Sequence, residues 1–162
     1  MTNEIEIILA DYNKPEHIQA IAELMQHYAS DPFGGGKSLS QDLANTIAME
    51  LGKRDYAFTL LGYIDDKPIA LINCFEMFST FACKPLINIH DIVVMQDYRG
   101  QGLSHALLAE VETIARQRGC CKLTLEVLSN NHIAKASYEK FGFGDYQLNP
   151  EHGHALFWQK TL

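Results

Sequence analysis

The chain has 162 residues, enough for one domain spanning 1–162 with a sizeable core, and its 47% hydrophobic and 20% charged residues are ordinary for a globular protein. With 13 Lys and Arg against 20 Asp and Glu, the net charge is −7 and no basic cluster occurs, which argues against nucleic acid or an anionic membrane surface as partner and mildly favours a cationic small molecule. The N-terminus has no basic region and no long apolar core, so no signal peptide is expected, and no apolar run approaches the ~20 residues of a membrane helix. Four cysteines without a Cys-x-x-Cys pattern fit a reduced, cytoplasmic compartment.

Glu4–Leu9 alternates apolar and polar residues and predicts a strand. Asn13-Lys14-Pro15-Glu16 reads as a capped helix start, with Ile18, Ile21, Met25 and Tyr28 on one face. After the loop Asp31-Pro32-Phe33-Gly34-Gly35-Gly36, Ser38 with Gln41 resembles a second capping box, and Leu43, Ile47 and Leu51 continue a helical stripe. Ala57–Ile64 and Pro68–Phe78 form a hairpin around Asp65-Asp66-Lys67, and Leu86–Met95 is a further strand. A helix from Gly102 to Gly119, a strand over Leu123–Leu128, a short helix capped by Asn130 or Asn131, and a hairpin of Gly144–Leu148 with His154–Lys160 complete the chain. The order predicts an α/β fold: a mixed, twisted sheet of about seven strands with about four helices on its faces.

The junction after Leu86–Met95 carries the most information. A β-branched strand feeds Gln96-Asp97-Tyr98-Arg99-Gly100-Gln101-Gly102-Leu103-Ser104, which opens a helix. Such a junction offers free backbone N–H groups and a positive dipole end to an anion, and glycines let a phosphate approach the backbone. A dinucleotide site would want a third glycine where His105 stands, and a Walker loop ending at Gly36-Lys37-Ser38 would want glycine where Asp31 stands. His152-Gly153-His154 lacks a third ligand at suitable spacing, so no metal is expected.

Downstream, Asn131-His132-Ile133-Ala134 is followed by Tyr138-Glu139-Lys140-Phe141-Gly142-Phe143. Together with Arg99-x-x-Gly102-x-Ser104, these residues closely resemble the GCN5-related N-acetyltransferase (GNAT) superfamily, whose loop reads Gln/Arg-x-x-Gly-x-Gly/Ala and whose second signature reads Asn-x-x-Ala-x-x-x-Tyr-x-x-x-Gly-Phe. The resemblance covers about Pro68–Phe143; the first sixty residues match only in pattern. Ser104 departs from the family's Gly/Ala, but it is small and its hydroxyl can donate to a phosphate.

The resemblance implies an acetyl-CoA-dependent enzyme that moves acetyl to a primary amine. Arg99, Gly100, Gln101, Gly102, Leu103 and Ser104 would wrap the pyrophosphate. Ile92, Val93 and Val94 would line the pantetheine arm, with main-chain groups of Ile92 and Val94 pairing to it like an added strand. Asn131 would bond the arm, or serve only as a helix cap. Tyr138 matches the family's general acid and would also border the cofactor; a phenol of pKa ~10 suits a departing thiolate.

Strand alternation places Asn88, His90, Ile92 and Val94 on one face and Asp91 on the other. His90 falls where some members carry a base histidine, and imidazole suits the task. Glu126 is the fallback base. For the acceptor, Asp31 and Phe33 offer a carboxylate and an apolar wall, and Glu76 adds charge. The expected acceptor is a small, cationic, polyamine-like amine; a protein or peptide amine, or a non-catalytic acyl-CoA-binding module on the same fold, is the alternative. The resemblance also suggests a homodimer, with Phe157 and Trp158 near an exposed edge.

Overall fold

The computed structural model describes residues 5–147 and 149–162. Two compact units make up the chain, one ending at Leu125 and the other running from Glu126 to Leu162. The larger unit holds a single five-stranded sheet in the order β1-β2-β3-β4-β5: β1 Glu6–Leu9, β2 Ala57–Ile64, β3 Lys67–Ser79, β4 Lys84–Val94 and β5 Leu123–Leu125. The first three pairings are antiparallel and β4–β5 is parallel, so the sheet is mixed.

Three helices belong to this unit: α1 Pro15–Ser30, α2 Gln41–Gly52 and α3 Leu103–Gln117. One core cluster joins Ala20, Ile21 and Leu24 of α1 and Ala48 of α2 to Leu61, Leu71 and Val93 of the sheet. α3 packs against β3 and β4, burying Leu103, Leu107, Leu108, Val111 and Ala115. Two starts differ from expectation. α1 is entered through Lys14 with Pro15 as its first helical residue, while the Asn13 backbone N–H turns back to Asp11 Oδ1 at 2.9 Å. α2 is capped by Ser40, whose hydroxyl accepts from Leu43 N at 3.2 Å; Ser38 instead bonds Ser30. The β2–β3 turn places Asp65 and Asp66 at φ 49° and 61°, the left-handed pair that matches the twist of a tight hairpin.

The expected seven strands are five among the described residues. In the C-terminal segment Gly144–Gln147 and His154–Lys160 carry no ladder; one backbone bond, Ala155 N to Tyr146 O at 3.4 Å, joins them, and Leu148 and Glu4 lie outside the described residues. β5 also stops three residues short of the expected Leu128. Alternation alone does not make a strand without a partner edge to satisfy its backbone. The smaller unit contains α4, His132–Phe141, begun by Asn131 and ended by Gly142 at φ 113°.

Candidate active site

β4 decides the site. It pairs with β5 only from Ile87 to Ile89, opposite Leu123 to Leu125. Beyond Ile89, β5 no longer covers that edge. Met95 N–H bonds back to Ile69 O on β3 at 2.9 Å, so strand alternation turns the main-chain groups of Val94 and Ile92 the other way, toward the open side. An extended ligand can pair there.

The strand then enters a 3-10 turn, Gln96–Tyr98, and the glycine loop. Gly100 and Gly102 have φ of 76° and 79°, and a Cβ built at either meets nothing within 4 Å. The glycines therefore serve backbone conformation and leave open space above the loop. Gly102 is the N-cap of α3 and offers no side-chain cap, so the N–H groups of Leu103 and Ser104 start the helix without an intrahelical partner beside that space. Donors, dipole and an open strand edge in series fit the anionic and amide parts of acetyl-CoA.

Arg99 closes the loop's mouth. Its Nε donates to Val94 O at 3.0 Å and its guanidinium reaches Asp31 Oδ2 at 2.9 Å. Asp31 also accepts from Phe33 N at 2.9 Å. That backbone bond, and after it the Arg99 guanidinium, hold the Asp31 carboxyl below the usual carboxylate range against an opposing effect of burial. The Asp31 carboxylate is thus engaged with the loop cation rather than held out alone to an acceptor. Its own loop is anchored at Gly34, where a Cβ would lie 1.9 Å from Tyr28 O; the Phe33 ring stays about half exposed.

The acceptor face differs most from expectation. β4 carries one extra residue: Asn73 pairs with Asp91 and Cys74 with Ile89, leaving His90 as a bulge. The bulge shifts the alternation. His90 packs edge-on against Phe75, centroids 5.2 Å apart, and Asp91 Oδ2 accepts from Asn73 Nδ2 at 2.9 Å. Phe75 and Asn73 share the β3 face that meets Met25 of α1. So His90 and Asp91, neighbours in sequence, lie on one face. The expectation that Asp91 points away from His90, with Ile92 and Val94 beside the latter, is corrected: Ile92 and Val94 lie on the α3 side. Glu76 is on that side too, paired with Arg118 at 3.1 Å, and is not brought together with Asp31 or His90. Asn88 is buried and donates to Thr124 Oγ1 at 3.1 Å, tying β4 to β5 where they still pair.

Sequence reading missed a buried relay behind Asp91. Thr59 and Asn73 are 0% and 2% exposed, and Thr59 Oγ1 donates to Asn73 Oδ1 at 2.6 Å. Tyr12 Oη lies 2.9 Å from Thr59 Oγ1. Because the single Thr59 proton goes to Asn73, Tyr12 is the donor in that contact. The signal was present: Thr59 and Asn73 are isolated polar residues inside apolar strands. Burial first, then the charges of Asp91 and Asp31, push the Tyr28 hydroxyl above the usual tyrosine range.

In the smaller unit, Asn131 Oδ1 accepts from Ala134 N at 3.2 Å, the helix-cap role. The Tyr138 carbonyl accepts from Gly142 N and Phe143 N, and its ring meets Phe143 at 6.1 Å. The Gly-Phe end of the second motif thus terminates α4 and packs the tyrosine. Glu126 opens this unit. Among the described residues, no group of three His, Cys, Asp or Glu side chains is arranged to hold a metal ion, and no helix is long and apolar enough to cross a membrane.

A profile of the acetyltransferase (GNAT) family matches residues 20–143. Thialysine N-epsilon-acetyltransferase of Bos taurus is 37% identical over 59 residues, 36% of this chain and 35% of that protein. Glucosamine 6-phosphate N-acetyltransferase of Trypanosoma brucei brucei is 39% identical over 56 residues, 35% and 36% of the two chains. The matched stretches thus span about a third of these curated relatives. Among solved structures, a possible acetyltransferase from Clostridium difficile 630 superposes with a TM-score of 0.79 at 21% identity, covering 98% of both chains. An aminoglycoside N-acetyltransferase in complex with CoA superposes at 0.74 with 16% identity, covering 98% of this chain and 96% of its own. At these identities the superpositions speak for the fold. The family match over most of the chain, with the open β4 edge and glycine loop it contains, means that the chain belongs to the acetyltransferase (GNAT) family.

Proposed function

We propose that this protein transfers an acetyl group from acetyl-CoA directly to a primary amine of a small cationic molecule. The observation that carries the proposal is the β4 edge, uncovered after Ile89 and running straight into a glycine loop at a helix N-terminus. When bound, acetyl-CoA supplies the acetyl group as an activated thioester. Ile92 holds the extended arm through its main-chain groups and Val94 through its N–H, its carbonyl being held by Arg99 Nε, with Val93 between them, and the backbone of Gly100, Gln101, Gly102, Leu103 and Ser104 receives the pyrophosphate, flanked by Arg99. Asn131 bonds the arm in addition to capping α4. His90 takes a proton from the acceptor nitrogen, which then attacks the thioester carbonyl carbon. Tyr138 Oη donates its proton to the sulfur as the C–S bond breaks. The net charge of −7 favours a cationic acceptor, and the half-exposed Phe33 ring offers it an apolar wall.

The test is a free-thiol assay over amines, polyamines and peptides, run beside a thermal-shift series with acetyl-CoA, ATP and NAD, since a ligand that binds only the native state raises the midpoint. Thiol release with small amines supports the proposal; acetyl-CoA binding without thiol release across the panel replaces it with the non-catalytic module. His90→Ala is expected to remove the acidic limb of the kcat/KM profile. A limb that survives the change assigns the proton to Glu126 or to the free amine. The proposal includes a homodimer formed through the C-terminal segment, where Phe157 and Trp158 are exposed. Light scattering at about 50 μM, where a dimer of ~1 μM Kd persists, retires that part if it gives a monomer.

A further inference from the structure

We infer that Asp91 is the residue that binds the acceptor's ammonium group, and that the chain of the half-buried Tyr12 and the buried Thr59 and Asn73 exists to aim it; the inference rests on the transferase reading above. Four observations carry it. The first is the bulge at His90, which places His90 and Asp91 on the same face, whereas a regular strand would send them to opposite faces. A residue that takes a proton and a carboxylate that holds its donor are thereby adjacent.

The second is the relay itself. Thr59 and Asn73, polar side chains inside an apolar core, stabilise nothing that well-packed aliphatic residues would not, unless each is fully bonded. Here each is, and the hydrogens run one way: Tyr12 to Thr59, Thr59 to Asn73, Asn73 to Asp91. The Asn73 amide is held at both ends, since its Oδ1 accepts from Thr59 and its Nδ2 donates to Asp91 Oδ2 and meets Met25 Sδ at 3.5 Å. The direction of donation ends on an acceptor, which leaves the carboxylate positioned and still able to accept.

The third is what Asp91 lacks. Among the described residues it has no cationic partner, whereas Asp31 is paired with Arg99 and Glu76 with Arg118. Among the described residues its Oδ1 has no hydrogen bond and no buried side-chain oxygen is left unbonded, so Oδ1 is open to solvent. A half-buried carboxylate with one oxygen fixed and the other open accepts a charge-assisted bond from an ammonium. The fourth is the company: Asp91 and Asp31 both act on the Tyr28 hydroxyl, and of these two carboxylates Asp31 is the one already paired, with Arg99, which leaves Asp91 for an incoming cation. Asn73, Thr59 and Tyr12 are positioning residues.

The test titrates 1,4-diaminobutane and the neutral 1,4-butanediol into the full chain by calorimetry, with and without CoA. The diamine is expected to bind and the diol not. Asp91→Asn keeps an acceptor for the Asn73 amide and removes the charge; diamine affinity should fall by about tenfold or more while CoA affinity holds. Thr59→Val breaks the relay at constant shape and should weaken the diamine several-fold, whereas Thr59→Ser should restore it. A purely structural relay would lower the melting temperature of Thr59→Val and leave diamine affinity unchanged. Equal binding of diol and diamine, no diamine binding by the native protein, or unchanged diamine affinity in a folded Asp91→Asn overturns the inference. Absence of CoA binding with the diamine contrast intact removes the transferase reading and leaves the ammonium site standing.

Discussion

Tyr138→Phe is expected to bind acetyl-CoA as the native protein does and to lose kcat by roughly 10²–10⁴, the range for one acid or base. The substitution removes a hydroxyl and keeps the ring, so the contact with Phe143 survives and the α4 end, built from the Tyr138 carbonyl and Gly142, is untouched. Folding and binding should therefore hold. What changes is the proton available to sulfur when the C–S bond breaks, because a thiolate leaves poorly without one. Single-turnover kinetics should place the loss in the chemical step, with the KM for acetyl-CoA little altered. Full activity in Tyr138→Phe removes the acid assignment.

The second large effect concerns the loop. Gly102→Asp is expected to fold and to lose acetyl-CoA affinity by about two orders of magnitude or more, as anion repulsion replaces a helix-terminus contact of up to ~2 kcal/mol. Gly102 sits at φ 79° with open space where a Cβ would go. Aspartate tolerates this left-handed conformation better than most residues, and a negative charge at the start of α3 favours the helix dipole. The melting temperature should thus change little. The same charge stands where a pyrophosphate would be received. Calorimetry with unchanged affinity in the folded variant takes the loop out of the site; a collapsed melting temperature would instead give Gly102 a folding role.

The site was legible in the sequence wherever it depends on local chemistry. The glycine spacing from Arg99 to Ser104 specifies left-handed positions and a bare helix start, and the structure has both. Asn131 and Gly142 bound α4 as their types require. The hairpin at Asp65-Asp66 and the stripe of α1 follow from period and turn chemistry that neighbours in sequence settle among themselves. Helix caps were harder: Ser38 and Ser40 are both acceptable, and packing selected Ser40 by giving Ser38 to Ser30.

By itself, then, the sequence determined the family, the mixed α/β class and the geometry of the glycine loop at the α3 start, because these rest on residue type at fixed short spacing. Tertiary structure decided the rest. Strand number depends on whether a second edge is there to pair with, and Gly144–Gln147 and His154–Lys160 form no ladder. The face on which a β4 side chain lies depends on the bulge at His90, a register change set by β3 across the sheet, and a one-residue slip reverses every assignment beyond it. That slip brings Asp91 beside His90 and onto Asn73, while Glu76, on the unbulged β3, stays on the opposite face and pairs with Arg118. Alternation is a local rule, and where the partner strand overrides it only the folded sheet says which carboxylate shares a face with His90.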